Sequence, residues 1–181
     1  MPGEIHRLST YRFRSTDQLF FNANVWLFLY GRQYGPTDSR VRIYSAALKR
    51  ILDAGSRVFI DALVLSEVIN STARFEFNKM PASTKTKGFK AYRTSAAFKQ
   101  VSKDIADACR RILGHASRIE SEFSSVDVEA VLRGYERGRV DFNDYVLAEL
   151  CRVKGLSFVT DDGDLKWLTV TILTENSRLL S

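Results

Sequence analysis

Four short apolar runs recur along the chain, each closed by polar or turn-forming residues: QLFF at Gln18 to Phe21, RVFI at Arg57 to Ile60, LSFVT at Leu156 to Thr160 and TVTIL at Thr169 to Leu173. Runs this short, built from β-branched and aromatic side chains, read as strands. Between them lie stretches with helical spacing, and strands joined through helices argue for an α/β layer around a mostly parallel sheet. At 181 residues, the chain has room for one well-packed core. We therefore expect a single domain over residues 1–181, with a central sheet of about four to five short strands flanked by helices.

The helices have local start and stop signals. One is predicted from about Asn24 to Arg32, followed by a loop at YGPTDSR and a second helix that runs to about Asp53 and stops at Gly55. A third starts near Leu63, with Val64, Leu65, Val68, Ile69 and Thr72 as its apolar stripe and Glu67 on the border of the buried side. NKMPASTKTKG, Asn78 to Gly88, interrupts it, and a longer helix follows from about Ser95 to Leu113. Two more are expected, at Ser125 to Gly134 and from about Phe142 to Lys154, the latter ended by Gly155.

Several function classes drop out at this point. No run of about 18 apolar residues occurs and the start lacks the apolar core of a secretory signal, so a soluble cytoplasmic protein without membrane contact is expected. Cys109 and Cys151 sit among apolar neighbours in helical patterns and read as buried reduced thiols. With only His6 and His115 besides, no zinc constellation can be assembled. Any bound metal must take oxygen ligands, which suits magnesium or manganese.

Charge is unevenly placed. Between Glu76 and Asp104 there is no acidic residue, while Lys79, Lys85, Lys87, Lys90, Arg93, Lys99 and Lys103 account for the whole net charge of +6. Interleaved with Phe77, Phe89, Tyr92 and Phe98, such a strip suits a polyanion with stackable bases. It equally suits a solvated helix face whose aromatics pack inward.

Polar residues gather where strands end. Asn22 and Asn24 interrupt the most hydrophobic part of the chain, LFFNANVWLFLYG, where an unpaired amide would cost about 1 to 3 kcal/mol. Glu67 lies in the helix after the second strand, and TDDGD, Thr160 to Asp164, follows the third. Asp141 and Asp144, in DFND, open the helix that feeds the third strand. Each has an ordinary explanation: Asp141 as an N-cap, Asp144 as a first-turn acid, TDDGD as a turn, Glu67 as helix surface. Together they can reach the carboxyl edge of a parallel sheet, where ligands bind. Several carboxylates there repel one another unless a hard cation offsets them.

The order of these motifs resembles the PIN domain family of metal-dependent ribonucleases over nearly the whole chain. FFNANVWL stands where that family has a strand ending in Asp-x-Asn or Asp-x-Ser, LVLSEVIN where it has a helix bearing one Glu, DFNDYVLAEL where it has a helix start with Asp, and FVTDDGDL where it has Thr-x-Asp-x-Asp. The resemblance implies phosphodiester hydrolysis assisted by one or two Mg²⁺ or Mn²⁺ ions. By position it makes Asn22, Glu67, Asp144 and Asp162 the catalytic set, with Asn22, Asp144, Asp162 and Asp164 toward the metal. Asn24, Asp141 and Thr160 would support the site. Lys85, Lys87, Lys90, Arg93 and Lys99 would hold RNA.

The family also includes VapC-like toxins of toxin-antitoxin pairs, so the resemblance implies a homodimer and an antitoxin protein as partner. The excess length of this chain falls at about 75–115 and is expected to be a basic helical insertion. One departure stands out, since Asn22 occupies the position of the first metal-binding aspartate. The alternative to a nuclease, weakened or inactivated by that change, is a non-catalytic RNA-binding or protein-interaction module on the same fold.

Overall fold

The computed structural model describes residues 3–121, 123–138 and 141–181, with the side chain of Trp167 left aside. Among these residues six strands form one sheet: β1 (Ile5–Arg7), β2 (Gln18–Phe21), β3 (Arg57–Ile60), β4 (Ser117–Arg118), β5 (Ser157–Val159) and β6 (Ile172–Thr174). Their order is β1-β6-β5-β2-β3-β4, and every pairing is parallel. The sheet thus has more strands than the four to five expected. β1 and β4 escaped the sequence reading because edge strands of three and two residues, partly or fully exposed, carry no apolar run. β6 also begins later than expected, at Ile172 rather than Thr169.

The helices follow from local chemistry. α1 (Ala23–Tyr30) and α2 (Ser39–Asp53) lie between β2 and β3, and α3 (Ala62–Asn78), α4 (Ala82–Lys85), α5 (Gly88–Arg93) and α6 (Ala96–His115) between β3 and β4. α7 (Val128–Glu136) and α8 (Phe142–Lys154) precede β5, and α9 (Ser177–Leu180) closes the chain. Asp61 caps α3 by accepting from Val64 N at 2.9 Å, and Asp141 caps α8 by accepting from Asp144 N at 3.0 Å. Each such cap contributes about 1 kcal/mol. Gly155 ends α8 in the left-handed region, φ 65°, which a side chain would strain. Cys109 and Cys151 are free and buried, as expected.

Strand order places the site. β2 lies between β3 and β5, so the chain leaves it in one direction through β3 and β4 and in the other through β5, β6 and β1. At that reversal the carboxyl ends of β2 and β5 open a crevice between their connections. Beneath it, Phe20 meets Phe158 with ring centroids 5.9 Å apart, and Phe21 meets Trp26 at 5.0 Å. These aromatics are wholly or almost wholly buried and fix the two strand ends relative to each other.

The segment after α3 turns its aromatic side chains inward. Phe77 packs against Phe89 and Tyr92, each at 5.5 Å, and Tyr92 against Phe98 at 5.1 Å. The buried stripe of α3 also runs differently from the sequence reading: Val64, Val68, Thr72, Ala73 and Glu76 are inside, while Ile69 is 38% exposed. Glu76, only 6% exposed, meets Arg32 Nε at 3.1 Å and Lys79 Nζ at 3.1 Å, and Arg32 also pairs with Asp104 on α6. A buried carboxylate needs such partners. Removing the centre of the aromatic floor tests this packing: Phe158→Ala is expected to lower unfolding free energy by about 3 to 5 kcal/mol, read from urea denaturation.

Candidate active site

The two amides of the apolar run are paired. β2 pairing continues one residue past the strand, since Asn22 N donates to Val159 O at 2.9 Å. Asn22, 4% exposed, then caps α1: its Oδ1 accepts from Ala23 N at 2.6 Å and its Nδ2 donates to Thr160 Oγ1 at 3.2 Å. Asn24 donates from Nδ2 to the same hydroxyl at 3.2 Å and accepts from Asp161 N at 3.2 Å. Thr160, fully buried, also accepts from Asp162 N at 3.1 Å. The end of β2 and the turn after β5 are thereby stitched together by side chains that would be costly to leave unpaired.

Residues that the sequence reading passed over complete this support. Tyr44 on α2 places its hydroxyl 2.9 Å from Asp161 Oδ1 and 3.1 Å from Thr160 O. Asn176 Nδ2 donates to Asp161 O at 2.5 Å. Burial raises the carboxyl of Asp161, and the Tyr44 hydrogen bond and Arg40 pull it back. An aromatic on the apolar face of a helix looks like any core residue, so only the fold reveals Tyr44 as an anchor. Asp161 was in plain view between Thr160 and Asp162.

Against this frame the acids converge. A cleft of about 590 Å³ is lined by Tyr135, Glu136, Gly138, Asp141, Asp144, Asp162 and Asp164. Asp144, partly buried on the first turn of α8, has its carboxyl pushed up to about 7. Burial is the main cause, followed by the charges of Asp141, Asp162 and Glu67, while a hydrogen bond from Asn22 works in the opposite direction. Glu67, on α3, is exposed and is not among the residues lining that cleft. Burial, then Asp141 and Asp162, raise its carboxyl as well. Asp162 accepts from Asp164 N at 2.9 Å, and Asp164 stands exposed at the rim.

The donors that converge are oxygens with too much negative charge for each other's comfort, the set a hard cation suits. Among the described residues no three Asp, Glu, His or Cys side chains already form a ready-made metal cage. Asn22 turns its N–H groups to Thr160 and Asp144, while its carbonyl oxygen accepts from Ala23 N. The basic residues Lys85, Lys87, Lys90, Arg93 and Lys99 are all exposed on α4 to α6 and the turns between them, and none lines the acidic cleft. The rings interleaved with them, which suited either stacking on bases or packing inward, are turned toward one another.

A family model described as the PIN domain matches residues 23–169. No curated protein matches the chain. Among solved structures, VapBC2 from Rickettsia felis, bound to a DNA fragment from their promoter, is 12% identical, with 87% of this chain and 98% of that chain covered and a TM-score of 0.54. PAE2754 from Pyrobaculum aerophilum is 16% identical, with 97% and 94% covered and a TM-score of 0.52. At these identities the likeness is one of fold. Among the described residues no helix is long and apolar enough to cross a membrane.

The crowding of Asp144 has a measurable sign. Its folded carboxyl holds a proton up to about 7, whereas in the unfolded chain it releases it near 3.9. Its contribution to stability is therefore fully present below about pH 4 and is lost as pH rises toward 7. Asp144→Asn is expected to melt at a higher temperature than the parent at pH 8, with the gap closing toward pH 4. A gap independent of pH in thermal melts would contradict the crowding.

Proposed function

The chain belongs to the PIN domain family, and on that premise we propose that it is an endoribonuclease dependent on a divalent metal, which hydrolyses RNA phosphodiester bonds at the acidic cleft. The observation that carries this reading is the crowding of Asp144 by Asp141, Asp162 and Glu67 at the carboxyl edge of the sheet. Carboxylates brought together from separate elements are an arrangement that a cation would stabilise. Asp144 and Asp162 would hold Mg²⁺ or Mn²⁺, with Asp164 at the rim. The ion would supply charge neutralisation at the phosphate and a more acidic water.

Each residue then has a task. Glu67, its carboxyl raised, is suited to accept the proton of the water that attacks phosphorus, while the RNA 3′-oxygen departs. Thr160, Asn24 and the cap at Asp141 keep the acids in place. Lys85, Lys87, Lys90, Arg93 and Lys99, on a basic helical insertion at 75–115, would grip phosphates away from the cleft. The fold likeness to VapBC2 supports a place as the toxin of a toxin-antitoxin pair, a homodimer restrained by an antitoxin.

Asn22 bears on how active the chain is. An aspartate there would add a charge for the cation to bind, whereas Asn22 donates to Asp144 and eases the crowding without one. That hydrogen bond favours a weakened enzyme, and it is also the observation behind the second reading, a binding module that has lost cleavage. Incubating RNA with the parent and with Asn22→Asp, in Mn²⁺ or in EDTA, separates the two. We expect Mn²⁺-dependent cleavage that is about tenfold or more faster in Asn22→Asp, and lost when Asp144→Ala or Asp162→Ala is added. Cleavage indifferent to those two changes would sink the site. Salt-sensitive RNA binding without any metal requirement, reduced when Lys85, Lys87 and Lys90 are neutralised, would support the binding module instead.

A further inference from the structure

Away from the acidic cleft, α3 and α6 leave a groove between them. Ile69 and Ala73 of α3 line it together with Phe98, Ala106, Cys109 and Leu113 of α6, around a cavity of about 340 Å³. That volume lies in the range of sites for small molecules. Its floor is apolar: Ala73, Ile105 and Cys109 form a buried cluster separate from the main core, with Phe98 packed against it. Ile69 and Leu113, large aliphatic side chains each 38% exposed, both face this one concavity. The short side chains of Ala73 and Ala106 keep it open.

The charge around the groove has one sign. Its uncharged polar side chains are engaged within their own helices, since Asn70 Nδ2 donates to Ser66 Oγ at 3.2 Å and Ser102 Oγ to Lys99 O at 2.9 Å. The charged residues that line it are Arg93 and Arg110, and no carboxylate does so among the described residues. Arg110 is paired with Asp107 Oδ1 at 2.5 Å. Arg93 meets the ring of Phe89, 6.0 Å from its centroid, and no carboxylate among the described residues. It ends α5 just before α6 begins, within a stretch that holds no acid from 77 to 103. An exposed guanidinium thus stands at one end of an apolar trough that follows α6 for about 22 Å, from Phe98 to Leu113 at 1.5 Å per residue.

Charge and shape together call for a ligand with an apolar body and one anionic head. We infer that the groove binds a small amphipathic carboxylate of the medium-chain fatty acid class, its head on Arg93 and its alkyl chain laid along α6 past Cys109 toward Leu113. The planar fork of arginine matches a carboxylate with two parallel hydrogen bonds. Each methylene taken from water strengthens binding about fourfold. A stable protein partner buries about 800 Å² on each side, more than one trough of this volume offers, whereas a single alkyl chain fills it. This site is separate from the acidic cleft and does not depend on the nuclease reading.

Isothermal titration of the whole chain at pH 8 with octanoate, decanoate and uncharged decanol tests the assignment on the parent, Arg93→Gln and Ala106→Phe. The parent is expected to bind decanoate about tenfold tighter than octanoate and about tenfold tighter than decanol. Arg93→Gln should weaken decanoate about tenfold and leave decanol unchanged, while Ala106→Phe, which fills the trough, should abolish binding of both. Arg93 is exposed, so its variant keeps the test open if Ala106→Phe fails to fold in thermal melts. Cys109 lines the trough while Cys151 is wholly buried, so decanoate should also slow alkylation of Cys109 by iodoacetamide in the parent. Decanol binding as tightly as decanoate, or affinities indifferent to Arg93→Gln, would overturn the site. So would a dimer that Ala106→Phe dissociates in sedimentation while decanoate fails to bind, since the groove would then belong to a second copy. None of these measurements reads RNA cleavage, so the nuclease stands or falls apart from them.

Discussion

Carboxylates brought close together repel, and this chain brings Glu67, Asp141, Asp144 and Asp162 within reach of one another at the carboxyl edge of a parallel sheet. Everything around them is arranged to bear that repulsion. Thr160 is clasped by Asn22 and Asn24, Asp161 is held by Tyr44 and Asn176, and Asn22 lends a hydrogen bond to Asp144 itself. The support is neutral or hydrogen-bonded, and among the described residues no lysine or arginine lines the cleft.

Much of this was legible in the sequence because it is local. The caps at Asp141 and Gly155 depend on a few neighbouring residues, so α8 appears at the expected bounds, from Phe142 to Lys154. The apolar runs of β2, β3 and β5 were visible for the same reason, and with them the strand ends that carry Asn22 and Thr160. What local pattern could not show was pairing across the chain. β1 and β4 exist only as partners of β6 and β3, and their own residues give little sign of it. Tyr44 reaches a turn more than a hundred residues away, and nothing in its helix announces that.

The aromatics of the basic segment make the same point from the other side. Spacing alone allowed Phe77, Phe89, Tyr92 and Phe98 to face either solvent or one another. Burying rings against rings removes apolar area from water, and Phe89 and Phe98 also pack against the buried cluster of Ala73, Ile105 and Cys109. Tyr135 lies outside that cluster and is exposed, though its sequence surroundings are no more distinctive.

The ion pairs around Glu76 carry a consequence for how a polyanion would be met. Arg32, from the loop after α1, reaches both Glu76 on α3 and Asp104 on α6. The lysines of α4 to α6 are thus mounted on a framework tied into the body of the protein at both ends. A loose basic arm loses conformational entropy each time it closes on its ligand, and its affinity is reduced accordingly. Here that ordering was completed when the chain folded, so the positive strip presents a fixed spacing of charges, and a flexible strand must adapt to it.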